Sequence, residues 1–224
     1  MQKTLTGHDA ESASVFTPAM AVESSEDCST EPSLNTLARQ AAECTRCALS
    51  QTRNHVVFAE GNPQAPLMLI GEAPGQQEDE TGRPFVGRAG QLLTQLLASV
   101  GITRPNDIYI CNTVKCRPPQ NRKPEPTELA ACFPYLEGQI LAVRPRLILL
   151  AGATAVQNML KTKVGISKLR GQWFDTPFAG AKAKAMPIFH LSYLLRNHSQ
   201  AEDSPRWLMA QDLQEIRRQL DALR

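Results

Sequence analysis

The residues of this chain whose type and spacing could do chemistry fall into two sets. The first is sulfur. Cys44 and Cys47 form a C-x-x-C pair, and Cys116 and Cys132 follow with fifteen residues between them. A C-x-x-C turn points two sulfurs the same way, and four thiolates suit either zinc or a [4Fe–4S] cluster. Zinc modules usually repeat the C-x-x-C, which the second half here does not, but spacing alone leaves both metals open. Unrelated buried cysteines are the plainer alternative, weakened because C-x-x-C is uncommon by chance. Disulfides are the less expected use in a cytosolic chain. Cys28 reads as a bystander and Cys111 as a core residue.

The second set is Glu72, Asn112 and His190. Glu72 and Asn112 directly follow, and His190 ends, a short apolar run that reads as a buried strand: Leu67–Gly71, Ile108–Cys111 and Pro187–His190. A fourth such run is Leu147–Ala151. Singly, each polar residue has an ordinary structural use: a helix-capping carboxylate, a turn amide, a satisfied core imidazole. Strand ends of a parallel sheet converge on one edge, where open α/β sheets hold their ligands. Three chemically unusual strand ends therefore favour a shared cleft. The long connection from Gly71 to Gly90, GEAPGQQEDETGRPFVGRAG, is Gly-rich and acidic, and connections of this length are more often functional than idle.

The elements that must position these residues are legible from periodicity. Helical patterns cover Leu34–Glu43, Gly90–Val100, Pro126–Val143, Ala153–Leu160 and Pro205–Leu223. Strands alternating with helices predict a parallel sheet with helices on both faces. Residues 1–32, rich in Ser, Thr and carboxylates, predict a disordered acidic tail, leaving 33–224 as one domain. The first 34 residues carry six carboxylates and one lysine, so the remainder is modestly basic within a net charge of +2. That balance is compatible with a polyanionic partner. The absence of a long apolar run or a signal-peptide pattern predicts a cytoplasmic protein with no membrane partner.

Three motifs carry a resemblance. GEAPG…TGRPFVGRAGQLL, CNTVKCRPPQNRKPEPTE…C and HLSYLLRN together resemble the family 4 uracil-DNA glycosylases, over residues 43–197. The resemblance implies a three-layer α/β/α sandwich with a central four-stranded parallel sheet. It implies a [4Fe–4S] cluster on Cys44, Cys47, Cys116 and Cys132, bracing loops that meet DNA, and so decides between the two metals. It implies a monomeric, monofunctional DNA repair enzyme acting on uracil-containing DNA, single- or double-stranded, with no lyase lysine.

Residue by residue, the resemblance makes Phe85 the stacking partner of a flipped uracil and Asn112 the amide that reads it. Ala73 lines the pocket. His190 lies where a histidine stabilises the uracil anion at O2, and Glu72 is assigned the sugar cation or the attacking water, with Asp79 as second candidate. Arg117, Arg122 and Arg196 are assigned to phosphates, although solvated arginines are also the default surface. Leu194 falls where relatives present an apolar wedge to the vacated stack; the other reading is an ordinary core leucine.

Two departures stand out. The family has Pro after the third-motif histidine, which would fix the backbone; here it is Leu191. A DNA-crosslinking relative carries a histidine after the Asn motif, and none lies between His55 and His190, which predicts turnover. Two other function classes compete: a non-catalytic iron–sulfur DNA-binding or polymerase-associated module, and an electron carrier. Neither needs the set Glu72, Phe85, Asn112 and His190.

Overall fold

The structure, a computed structural model, describes residues 33–176 and 183–223. The acidic tail expected over 1–32, with Cys28, lies outside the described residues. The strands are β1 (Glu60–Gly61), β2 (Leu67–Gly71), β3 (Ile108–Asn112), β4 (Leu147–Ala151), β5 (Phe174–Asp175) and β6 (Lys184–Ile188), in sheet order β1-β3-β2-β4-β6-β5. β3, β2, β4 and β6 are parallel, as expected. The two-residue strands β1 and β5 pair antiparallel at the edges, giving six strands where the four parallel ones were expected.

The helices are α1 (Leu34–Ala42), α2 (Gln76–Thr81), α3 (Arg88–Ser99), α4 (Arg104–Asp107), α5 (Pro126–Val143), α6 (Ala153–Leu160), α7 (Ile166–Leu169), α8 (Leu191–Arg196) and α9 (Pro205–Asp221). Side chains alternate across the sheet. Leu67 and Leu69 face a core shared with Leu93 and Leu97 of α3 and Leu213 and Ile216 of α9. Met68 and Ile70 face Leu136 and Ile140 of α5 and Val156 of α6. Both faces are covered, which makes this an α/β/α sandwich and explains why the central strands read as unbroken apolar runs. Each such leucine or isoleucine contributes about 1.5–3 kcal/mol by burial.

Two expectations need correction. The last parallel strand is Lys184–Ile188, not Pro187–His190. The mixed run Lys184-Ala185-Met186 masks its start, and His190 leaves the sheet because it caps α8. The connection 71–90 is also not all loop. Gln76–Thr81 forms α2, stopped by Gly82 at φ 72°, a left-handed conformation that glycine adopts freely.

α1 begins where the Ser33 hydroxyl accepts the Thr36 N–H at 3.2 Å, and it packs with α5 over a third, smaller core. That core contains Cys44, Cys47, Cys116 and Cys132. No helix among the described residues is long and apolar enough to cross a membrane.

Candidate active site

In-register pairing sets Gly71 of β2 beside Asn112 of β3 and Ala151 of β4 beside Ile188 of β6. The residues leaving these strand ends meet in one cavity of about 470 Å³, whose lining includes Glu72, Ala73, Phe85, Asn112 and His190. Gly71 is what lets them meet. A Cβ there would collide with Asn112 Oδ1 and stand 2.5 Å from the tip of the Phe85 ring.

Asn112 is 2% exposed, and its Oδ1 is buried without a hydrogen-bond partner. A buried amide oxygen left alone costs about 1–3 kcal/mol, so it marks a place where a donor is wanted. Phe85 is buried on the loop between α2 and α3 with φ 53°. The left-handed region costs a non-glycine residue about 1–2 kcal/mol. Strain of this kind collects at functional sites.

His190 is the N-cap of α8, and its Nδ1 accepts the Ser192 N–H at 3.2 Å and lies 2.6 Å from the Ser192 hydroxyl. With Nδ1 accepting, the neutral ring carries its proton on Nε2. Burial pushes the imidazole below its ordinary value; Glu72 pulls it the other way and Arg196 adds to the lowering. Gly152, at φ 96°, allows this packing, since a Cβ would lie 3.0 Å from His190 Cδ2. His190 itself has φ −65° and ψ 136°, the extended ψ that a following proline would impose. The Ser192 contacts and the buried side chain of Leu191 hold the cap in place of a proline ring.

Glu72 accepts a short hydrogen bond from the Thr154 hydroxyl at its Oε2. Its carbonyl accepts the Thr113 hydroxyl at 2.5 Å. Thr154 and Gly152 lie just past the end of β4. Sequence reasoning missed both, although the strand-end rule that found the other three residues applies equally there. Ser192 was missed as well.

In the connection 71–90, Glu78 and Asp79 both have structural partners, Glu78 while also lining the cavity. The Glu78 carboxylate accepts the N–H groups of Gly75, Val86 and Gly87 at 3.1, 2.9 and 2.8 Å, closing the loop on itself. Asp79 is 1% exposed and accepts the Asn54 backbone N–H at 2.9 Å and its side-chain amide at 2.8 Å. It is committed there and does not line the cavity, so Glu72 is the carboxylate of the pair that does.

Of the expected DNA contacts, Arg122 and Arg196 line the cavity. Arg122 also makes two bonds to the buried Glu128, at 2.8 and 2.6 Å, which fasten the loop to the start of α5. Arg117 lies outside the cavity lining and bonds Asn121 Oδ1 at 2.8 Å. Leu194 is corrected: it is fully buried in the α3–α9 core. On a helix whose apolar stripe faces that core, a wedge cannot point outward from this position. The exposed side chain beside it is Tyr193, at 39%.

The four cysteines line a single recess with Arg46, Arg53, Lys115 and Tyr135, and none is in a disulfide. Arg53 donates to Cys116 Sγ at 3.4 Å and to the Cys44 carbonyl at 2.7 Å. The Lys115 N–H donates to Cys132 Sγ at 3.3 Å. Burial pushes the Cys116 thiol up to about 11, with Arg53 opposing. Four soft donors facing three cations and N–H groups fit an anionic metal–thiolate group. Among the described residues no three His, Cys, Asp or Glu side chains gather as for a single metal ion. A four-iron cluster takes one thiolate per iron and needs wider spacing.

Comparison with known proteins agrees with this fold. The family model of the uracil DNA glycosylase superfamily matches residues 58–214. The chain therefore belongs to that superfamily. It is 49% identical over 170 residues to a type-4 uracil-DNA glycosylase of Thermotoga maritima, covering 75% of this chain and 86% of that protein. It is 41% identical to the type-4 uracil-DNA glycosylase of Archaeoglobus fulgidus, covering 73% of this chain and 83% of that one. A DNA polymerase of Bacillus phage SP01 is 28% identical over 61% of this chain but only 14% of its own length. Within the superfamily, the chain is a member of the type-4 family.

Proposed function

We propose that this chain is a monofunctional uracil-DNA glycosylase, working as a cytoplasmic monomer with residues 33–224 as its catalytic domain. It takes uracil flipped out of DNA, hydrolyses the N-glycosidic bond and leaves an abasic site. The observation that carries this reading is the buried, unpartnered Asn112 Oδ1 in a cavity shared with Phe85, Glu72 and His190. A base inside a duplex cannot reach such a recess, so it must leave the stack.

The flipped ring stacks on Phe85. Asn112 Oδ1 accepts the N3–H of uracil, and the Asn112 amide donates to O4. Cytosine offers an acceptor at N3 and a donor at N4, so it leaves buried groups unpaired, at about 1–3 kcal/mol each. His190 aims Nε2–H at O2 and steadies the negative charge that grows on the base as the bond breaks. Glu72, held by Thr154, steadies positive charge on the sugar and orients the water that attacks C1′. Ala73 walls the pocket. Arg122 and Arg196, with Arg117, offer guanidinium groups to DNA phosphates.

Cys44, Cys47, Cys116 and Cys132 hold a [4Fe–4S] cluster in this reading. When bound, it supplies four iron–thiolate bonds that brace α1, the exit of β3 and α5 against one another. The thiolate chemistry of the recess and its donors supports this assignment.

Purified holoenzyme incubated with an oligonucleotide bearing one uracil tests the proposal. Free uracil and an alkali-labile site at that position are expected. Neither product, with the visible absorbance of the cluster intact, overturns the enzyme reading and leaves a non-catalytic DNA-binding module.

A further inference from the structure

Phe85 lines the pocket in a left-handed backbone conformation, and what holds it there lies outside the cavity. Arg104, the first residue of α4, donates from Nη2 to the Pro84 carbonyl at 2.7 Å and from Nη1 to the Phe85 carbonyl at 2.6 Å. Those two carbonyls belong to the peptide planes on either side of the Phe85 Cα. φ and ψ of Phe85 are the rotations of those planes, so fixing both carbonyls fixes the direction in which the ring leaves the backbone. A rigid, planar guanidinium can span two acceptors in this way, and a lysine ammonium cannot match it.

The clamp is itself secured. Glu60 pairs with Arg104 at 3.1 Å, and the Thr94 hydroxyl lies 3.3 Å from Nη1. The Arg104 side chain is only 13% exposed. It borders a separate shallow recess with Glu60, Arg83 and Thr94, and is not among the residues lining the uracil cavity. From the other side, Gly90 leaves room that a side chain would take, because a Cβ there would collide with the Phe85 carbonyl. A strained conformation persists only where its surroundings over-determine it, and here a clamp on one side and a glycine on the other do so.

We infer that Arg104 is a positioning residue for base recognition: it aims the Phe85 ring at the flipped base without touching the substrate. The inference rests on the reading of Phe85 as the stacking face. It is tested with holoenzyme on a single-stranded oligonucleotide bearing one uracil, comparing Arg104→Gln, Arg104→Lys, Phe85→Ala and the two double variants. Arg104→Gln and Arg104→Lys are each expected to raise KM roughly five- to tenfold, the low end of what a stacked base is worth. Combined with Phe85→Ala, either is expected to add less than about twofold, since the ring it aims is gone.

Two results overturn the inference. One is an equal effect of the Arg104 change with and without the Phe85 ring, which marks a general structural role. The other is an unchanged KM in both Arg104 variants while Phe85→Ala raises it. An unchanged KM in Phe85→Ala itself overturns the stacking reading instead, and the inference falls with it. Arg104→Lys keeps a cation beside Glu60, so the comparison survives if Arg104→Gln fails to fold.

Discussion

The side-chain ammonium of Lys115 donates to the main-chain carbonyl of Asn112 at 2.7 Å, while the N–H of the same lysine donates to Cys132 Sγ at 3.3 Å. One fully buried residue thus joins the cysteine recess to the backbone of Asn112, the residue proposed to read the base. Its third contact is Gln139 Oε1 at 2.5 Å, and Gln139 donates in turn to the Phe58 carbonyl and the Tyr109 hydroxyl. Lys115 and Gln139 are both fully buried, and such a network is costly to break from within.

Lys115→Met removes the donor and leaves two buried acceptors. Each costs about 1–3 kcal/mol, so the thermal midpoint is expected to fall by several degrees. Excision per folded molecule is expected to fall as well, because the Asn112 backbone loses its tether. Calorimetry beside single-turnover kinetics checks both. A Lys115→Met enzyme with wild-type melting and wild-type rate contradicts the link.

Thr154 bears on the placement of Glu72. Thr154→Val keeps shape and removes the hydroxyl that bonds the carboxylate. A hydrogen bond to a charged group is worth about 1.5–3 kcal/mol, so the single-turnover rate is expected to fall roughly tenfold to a hundredfold. Thr154→Ser is expected to restore most of it. Equal losses in Val and Ser would point to packing.

His190 titrates below the ordinary imidazole range, with burial as the chief cause and Arg196 assisting against Glu72. The folded state therefore binds fewer protons than the unfolded chain just below the unfolded value. Its contribution to stability is complete above about pH 6.5 and is lost as pH falls through the folded value. Histidine NMR at pH 6.5 is expected to find the His190 ring less than half protonated, its neutral form carrying the proton on Nε2. A ring half-protonated at or above that pH contradicts the assignment.

Leu194→Ala is expected to behave as a core truncation, costing about 2–5 kcal/mol of stability. Chemical denaturation measures it. A variant of wild-type stability that loses activity on duplex but not on single-stranded DNA would restore the wedge reading.

Much of this was legible in the sequence because strand ends and helix starts follow local rules. The apolar runs at 67–71 and 147–151 give their strands to the residue, and Pro126 at the first position of α5 marks its start. Glu72, Asn112 and His190 are found because three strand ends break into polar residues. Partnership across distant segments was not legible. Asp79 and Glu72 are both carboxylates of one connection, and only the fold gives one to Asn54 and the other to Thr154. Leu194 and Tyr193 differ in exposure because of the helical phase of a one-and-a-half-turn helix, too short for periodicity to fix. Arg104 carries no motif at all, and its role is visible only through the two carbonyls it holds.

In the proposed reaction Glu72, Asn112 and His190 act together on a bound uracil. Single-turnover release of uracil by Glu72→Ala, Asn112→Ala and His190→Ala holoenzymes tests it most directly, each first shown to keep its cluster absorbance and melting temperature. Loss of one well-placed electrostatic contributor raises a barrier by about 2.7–4 kcal/mol. Glu72→Ala and His190→Ala are therefore each expected to slow release roughly a hundred- to a thousandfold, with Asn112→Ala also strongly impaired. Near-normal release by any of the three, in folded and cluster-loaded protein, contradicts the role given to that residue.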